Sequence, residues 1–312
     1  MATTLQPHTV SAQLSGGLGN QLFQLFAAMS YALSINRRCI FLETSSLGSG
    51  STIVRPTYWS SFFSRLRPFL GDSAKFTSMM CIGVREPGFT YTAIPLLVQA
   101  SLSKLTGQQV ASACAILQGY FQSPKYFEDN YPMISRILRL EQQKSAVLEK
   151  YADTEAGQLL RAPAAPPVVT VAMHFRRGDY KKIQHYHPLM TEKYYISALK
   201  YIRRRVPGSF TIIYFCEDED AEDVTKMVDD ITDATGIRAI RAPTEAEDWE
   251  QLLLMSCATH NIIANSTFSW WGAYFNSNLE KIVCYPATWF GPSATANNTC
   301  DMFPSDWRRV TG

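Results

Sequence analysis

From Val168 to Pro286 the chain alternates short apolar runs with stretches of helical periodicity, an order that few folds accommodate. The clearest run is Val168-Val169-Thr170-Val171-Ala172-Met173, rich in β-branched residues and preceded by prolines at 163, 166 and 167. An uninterrupted apolar run bounded by breakers needs burial on both faces, as a central parallel strand provides. Phe210–Cys216, Ile237–Ile240, Asn261–Ala264 and Lys281–Pro286 read as further strands. Helices are expected over Glu192–Arg205, Ala221–Asp230 and Glu247–Cys257, with another after the Asn265–Ala273 segment opens. This alternation predicts a doubly wound α/β unit, whose ligands sit at the carboxyl ends of its strands.

The first half carries one clear βαβ unit. A strand over Thr9–Leu14 ends at Ser15-Gly16-Gly17-Leu18-Gly19-Asn20-Gln21, a helix runs over Leu22–Ser34, and Arg38–Leu42 is a second strand. Between Glu43 and Val110 the text predicts loops and short elements, with Tyr58, Trp59, Phe62 and Phe63 as core residues. Ala115–Ser123 is strand-like, and helices are expected over Pro124–Tyr131 and Met133–Tyr151. Gln158–Pro167, rich in proline and alanine, reads as a linker. With 312 residues, two domains follow, 1–157 and 158–312.

A net charge of +2 offers no field for a nucleic-acid backbone, so any positive site must be local. The seven cysteines show no zinc-type spacing, and Cys39, Cys216 and Cys284 sit in apolar runs as reduced, buried thiols do. No signal peptide or membrane-length apolar run is present. The chain as it stands reads as soluble and cytoplasmic; one trimmed of an N-terminal membrane or Golgi anchor would look the same.

Several segments carry chemistry. His174-Phe175-Arg176-Arg177-Gly178-Asp179-Tyr180 places two arginines where a buried strand ends. Guanidinium groups are costly to desolvate and grip phosphate oxygens bidentately, so a diphosphate ligand fits; the alternative is a structural Arg–Asp pair closing a turn. Gly17 and Gly19 let a backbone approach a ligand, with Asn20 either meeting that ligand or capping the helix. The turn lacks the third glycine of a dinucleotide fingerprint, although Glu43 falls where a ribose-binding acid would. Asn265, Ser266, Thr267 and Ser269 cluster small donors at a strand end, a place that cradles phosphate. The same residues spell a glycosylation sequon, but a buried strand beside it argues against a glycan. Trp270 and Trp271 read as core anchors. Asp218-Glu219-Asp220 is a D-x-D that either holds a divalent metal or, the favoured reading, caps the helix through Asp220 with Asp223 in its first turn. His185 and His187 lie in the loop beyond the arginines, as proton acceptors or as spacers.

Three of these segments together resemble the α-1,2-fucosyltransferases, glycosyltransferase family eleven. His174–Tyr180 looks like that family's H-x-R-R-G-D-Y, Gly16–Gln24 its G-G-L-G-N-Q-(M/L)-F-Q, and Ile262–Ala273 its I-x-A-N-S-S/T-F-S-W-W-G-A. Gly119–Ser123 and Trp289-Phe290 fit in the same order. The resemblance implies a GT-B-like enzyme, two Rossmann-like parallel-sheet halves facing a cleft, the first on the acceptor side and the second binding the donor. It implies transfer of L-fucose, with inversion, from GDP-fucose to the 2-hydroxyl of a galactose-terminated oligosaccharide or glycoconjugate, without a cofactor or an obligatory metal. Arg176 matches an arginine that contacts the donor phosphates, with Arg177 in support and Asp179 orienting them. His174 would lie near the nucleotide. Asn265, Ser266, Thr267 and Ser269 would hold the diphosphate or the fucose, and Gly17, Gly19 and Asn20 would act from the other half.

The expected catalytic set is therefore Arg176, Asp179 and Asn20. Asp179 is the favoured base by chemistry, although a carboxylate paired with arginine is a weak proton acceptor. Rival readings are a fucosyltransferase of another linkage or acceptor, including protein O-fucosylation, a non-catalytic sugar-binding module, and a nicotinamide-dependent Rossmann enzyme.

Overall fold

A computed structural model describes residues 9–48, 54–77, 79–95, 113–161 and 168–312. The expected linker prolines at 163, 166 and 167 lie outside the described residues, as does the expected end of the loop region at Val110. The chain divides into two compact units, Met1–Leu140 with Asn298–Phe303, and Glu141–Asn297 with Pro304–Gly312. The division falls at Leu140 and not at the 157/158 boundary expected from composition. There the single helix expected over Met133–Tyr151 is broken, because Arg139 takes a left-handed conformation with φ of 53°.

The first unit contains β1 (Thr9–Ala12), α1 (Leu18–Ser34), β2 (Arg38–Cys39), β3 (Met80–Arg85), β4 (Ala113–Gln118) and α2 (Tyr131–Leu138). Its described strands form a parallel sheet in the order β2-β1-β4-β3. The strand expected over Arg38–Leu42 is split, and Phe41–Leu42 pairs with Leu70–Gly71 instead. Helix α1 is buried along most of its length, including Leu22, Phe23, Leu25, Phe26 and Met29. Tyr58, Trp59, Phe62 and Phe63 are buried, as their apolar bulk predicts. Because β1 and β4 are parallel neighbours, the turns that leave them, Gly16–Asn20 and Gly119–Ser123, meet at the carboxyl end of the sheet.

The second unit contains α3 (Leu140–Lys150), α4 (Glu155–Arg161), β5 (Val169–His174), α5 (Glu192–Arg203), β6 (Phe210–Phe215), α6 (Ala221–Thr235), β7 (Arg238–Arg241), α7 (Asp248–Met255), β8 (His260–Ile262), α8 (Thr267–Tyr274), β9 (Val283–Pro286) and β10 (Arg308–Val310). Its sheet is parallel, in the order β7-β6-β5-β8-β9-β10. This is the doubly wound order 3-2-1-4-5-6, and the direction reverses between β5 and β8. Two such parallel-sheet units in one chain are the composition of the expected α/β, GT-B class.

All six residues of β5 are buried, as the run of β-branched side chains requires. Val171, Met173 and Phe175 join Ile212, Tyr214 and Cys216 in a core completed by Ala198, Leu199 and Ile202 of α5 and Val224, Val228 and Ile231 of α6. The alternate residues, His174 among them, face the other side, where α7 and α8 pack on each other. Trp270 and Trp271 are fully buried there. Cys39, Cys114, Cys216 and Cys284 are buried thiols, and all seven cysteines are free.

Candidate active site

The reversal between β5 and β8 brings two expected segments together, because the arginine motif leaves β5 and Asn265-Ser266-Thr267 leaves β8. Tyr180 joins them, its hydroxyl donating to the Asn265 carbonyl at 3.3 Å. Arg176 stands over the Tyr180 ring at 5.1 Å. Its Nη2 donates to Asp179 at 2.5 Å, and its Nη1 donates to Glu217 at the end of β6. Burial opposes the guanidinium charge, but Glu217 and Asp179 more than offset it and raise the Arg176 pKa.

Glu217 was not singled out in the sequence as the partner of Arg176. The available signal was Gly178: its φ is +28°, and a Cβ there would collide with the Glu217 carboxylate. Glycine at this position lets the acid reach the arginine.

The acidic run that follows β6 is used differently from either sequence reading. Asp220 is 2% exposed and occupies the N-cap position of α6, yet its side chain makes no cap bond to that helix. It accepts instead from the Gly178 N–H at 2.5 Å and pairs with Lys181 at 2.7 Å. Lys181 also reaches Asp223 at 2.8 Å, and the two carboxylates raise the lysine pKa. Asp218 pairs with Arg241 at 2.6 Å. The run is thus a clamp that fastens the loop after β5 to the loop after β6. Among the described residues no group of three or more His, Cys, Asp or Glu side chains is arranged to hold a metal ion.

Arg177 does not join Arg176. It turns toward α6, where Nη1 lies 3.2 Å from the Met227 sulfur and Nε lies 3.9 Å from Asp223. His174 is 7% exposed, its ring 5.4 Å from that of Phe268 on α8. Burial and the nearby Arg176 charge push its pKa down to about 3, so the imidazole is neutral. Asn265 is 1% exposed and holds two loops through Nδ2, which donates to Pro188 O at 2.9 Å and Trp289 O at 3.2 Å. Its Oδ1 is buried without a protein partner. Ser266 occupies the N-cap of α8, Thr267 begins the helix, and Ser269 Oγ donates to Ser266 O at 3.3 Å.

Of the two loop histidines, His187 comes to the motif and His185 does not. The His187 ring stacks on Tyr180 at 4.6 Å with an interplanar angle of 18°. Burial lowers its pKa, with Asp179 acting against and Arg176 with that shift. His185 is exposed.

In the first unit, helix α1 begins at Leu18, a turn earlier than expected, with Gly17 as its N-cap. Asn20 therefore lies inside the first turn and does not cap the helix. It accepts from Gln122 Nε2 at 2.9 Å, which ties the turn after β1 to the turn after β4. Gly16 has φ of +77°, a Cβ at Gly17 would meet open space, and Gly19 is buried in the helix. The neighbouring glutamines are structural: fully buried Gln21 donates to Gly16 O and Pro56 O, and Gln24 donates to Ser15 Oγ and Gly119 O. Glu43 is exposed just beyond the Phe41–Leu42 pair, and its N–H donates to Gly71 O at 2.9 Å.

The chain is similar to several known proteins. An α-1,2-colitosyltransferase of Escherichia coli is 28% identical over 96% of this chain and 98% of its own length. A galactoside 2-α-L-fucosyltransferase of Caenorhabditis elegans is 24% identical over 85% of this chain and 68% of its own. Among solved structures, the fucosyltransferase NodZ from Bradyrhizobium is similar with a TM-score of 0.43 and 12% identity, covering 86% of this chain and 93% of that one. The sequence model described as Glycosyl transferase family 11 matches residues 118–310, more than half of the chain. This span holds the arginine motif, its carboxylate partners and the Asn265 segment, and the chain belongs to glycosyl transferase family 11.

Proposed function

We propose that this glycosyltransferase moves L-fucose from GDP-β-L-fucose to the 2-hydroxyl of a galactose-terminated acceptor, with inversion and an α-1,2 linkage. The observation that carries the reading is Arg176, a guanidinium at the strand reversal beside Asn265–Thr267 and the start of α8. Departing GDP gains negative charge as the sugar bond breaks, and a preorganised cation at that point lowers the barrier. Arg176 meets that charge, while Asp179 and the Tyr180 ring hold its plane. Ser266 and Thr267 at the start of α8 offer donors for the sugar or the diphosphate, buried Asn265 and Ser269 support that turn, and neutral His174 lies beside the nucleotide. In the first unit, Asn20 and Gln122 offer amide groups to sugar hydroxyls at the glycine-rich turn.

The α-1,2 linkage is supported by the names of both relatives, and the galactose acceptor by that of the Caenorhabditis elegans protein. We also propose turnover without an obligatory metal, since Glu217, Asp218 and Asp220 each engage a protein cation or N–H. A second donor, carrying colitose in place of fucose, is favoured by the 28%-identical relative.

The test is incubation with GDP-fucose or GDP-colitose and a panel of galactosides, reading both GDP release and product linkage. Arg176→Ala should lose about a hundred- to a thousandfold in transfer while retaining its circular dichroism. Wild-type-like turnover by that folded variant would sink the assignment.

A further inference from the structure

The carboxylates around the arginine motif are committed elsewhere. Asp179 and Glu217 hold Arg176, Asp220 holds Gly178 and Lys181, and Asp223 holds Lys181. Of the two imidazoles near Arg176, His174 is buried and His187 is half-buried, and the fold fixes the loop that carries His187. The His187 N–H donates to Ile183 O at 2.9 Å, Gly291 N–H to Tyr186 O at 2.8 Å, and Ser293 N–H to His185 O at 2.9 Å. Asn265 Nδ2 holds the next residue, Pro188, at 2.9 Å. A Cβ at Gly291 would collide with the His185 carbonyl, so glycine is what allows the two segments to lie this close.

The imidazole is held between rings, with Tyr180 at 4.6 Å and Phe290 at 5.7 Å. Its Nδ1 is buried without a protein partner. The charged groups that face it are Asp179 and Arg176, with the Tyr180 phenol stacked against it. Burial keeps the ring neutral near pH 7, and Asp179 stands by to steady the imidazolium once it forms.

We propose that His187 is the general base that takes the proton from the acceptor hydroxyl, a role that rests on the transferase reading above. The hydroxyl oxygen forms its bond to the anomeric carbon as the bond from that carbon to the diphosphate oxygen breaks. The electron pair leaves with GDP beside Arg176, and the proton on His187 is then released to water.

The experiment compares the wild type, His187→Gln and, as a control, His185→Gln, with GDP-fucose and a galactoside that the wild type accepts. His187→Gln should lower kcat by about 100- to 10,000-fold and leave GDP affinity, by calorimetry, within about threefold of wild type. Wild-type kcat/KM should fall about tenfold per pH unit below one ionisation lying under 6.5. His187→Gln should lack that limb, and His185→Gln should keep it. Turnover by His187→Gln near the wild-type rate overturns the proposal. So does an acid limb that survives the substitution, a wild type without such a limb, or loss of GDP binding along with activity. A wild type inert with every donor and acceptor overturns the transferase reading itself, and the base with it.

Discussion

At Gly178 the backbone turns with φ of +28° so that Glu217 can reach across to Arg176. The arginine thus has two carboxylate partners of unequal kind. Asp179 is three residues away on the same loop, whereas Glu217 comes from the next strand and leaves 48% of its side chain exposed. A diphosphate approaching Arg176 competes with both for the same N–H groups, and the exposed partner is the easier to displace. Removing its charge should therefore favour the nucleotide. Glu217→Gln is expected to tighten GDP binding by up to about tenfold, a change near 1.4 kcal/mol, in a calorimetric titration at fixed salt. Weaker binding would show that Glu217 orients the arginine for the ligand and does not compete with it.

Among the elements, the pair that matters is the loop after β5 and the loop after β6, joined by Asp220. Its carboxylate is buried and accepts the Gly178 N–H, so its removal strands a donor and loosens the turn that aims Arg176. Asp220→Ala should cost about 1–3 kcal/mol in urea denaturation and lower transfer, while wild-type transfer persists in excess EDTA. Strict metal dependence would return the acidic run to its alternative role. The run also marks where sequence reading stopped. The strands β5, β6, β8 and β9 were legible because two-sided burial demands apolar residues, and that demand is local. The destination of Asp220 was not, since the same D-E-D text serves a cap, a metal or a neighbouring loop until the sheet order is known. Asn20 shows the same limit: its place in the first turn of α1, facing Gln122, depends on a strand about a hundred residues away.

For the molecule as a whole, part of the loss of stability in acid follows from two histidines buried in the second unit. His174 is pushed down to about 3 by burial and Arg176, and His260 to about 4 by burial. His260 Nδ1 already accepts the Ile282 N–H at 3.0 Å, and its Nε2 is enclosed without a partner. In an unfolded chain both rings would take up a proton near pH 6.5. Between that value and their folded pKa values the unfolded state binds more protons than the native one, so stability falls as pH drops. The window runs from about 6.5 down to 4 for His260 and to 3 for His174. Each ring contributes a slope of about 1.4 kcal/mol per pH unit within it. Above pH 7 neither contributes any dependence. Urea titrations from pH 7.5 to 4.5 should show the loss, and His260→Gln should remove about half of the slope attributable to the pair. A variant that keeps the full acid slope would show that His260 gains its proton in the folded chain, against the burial seen at the start of β8.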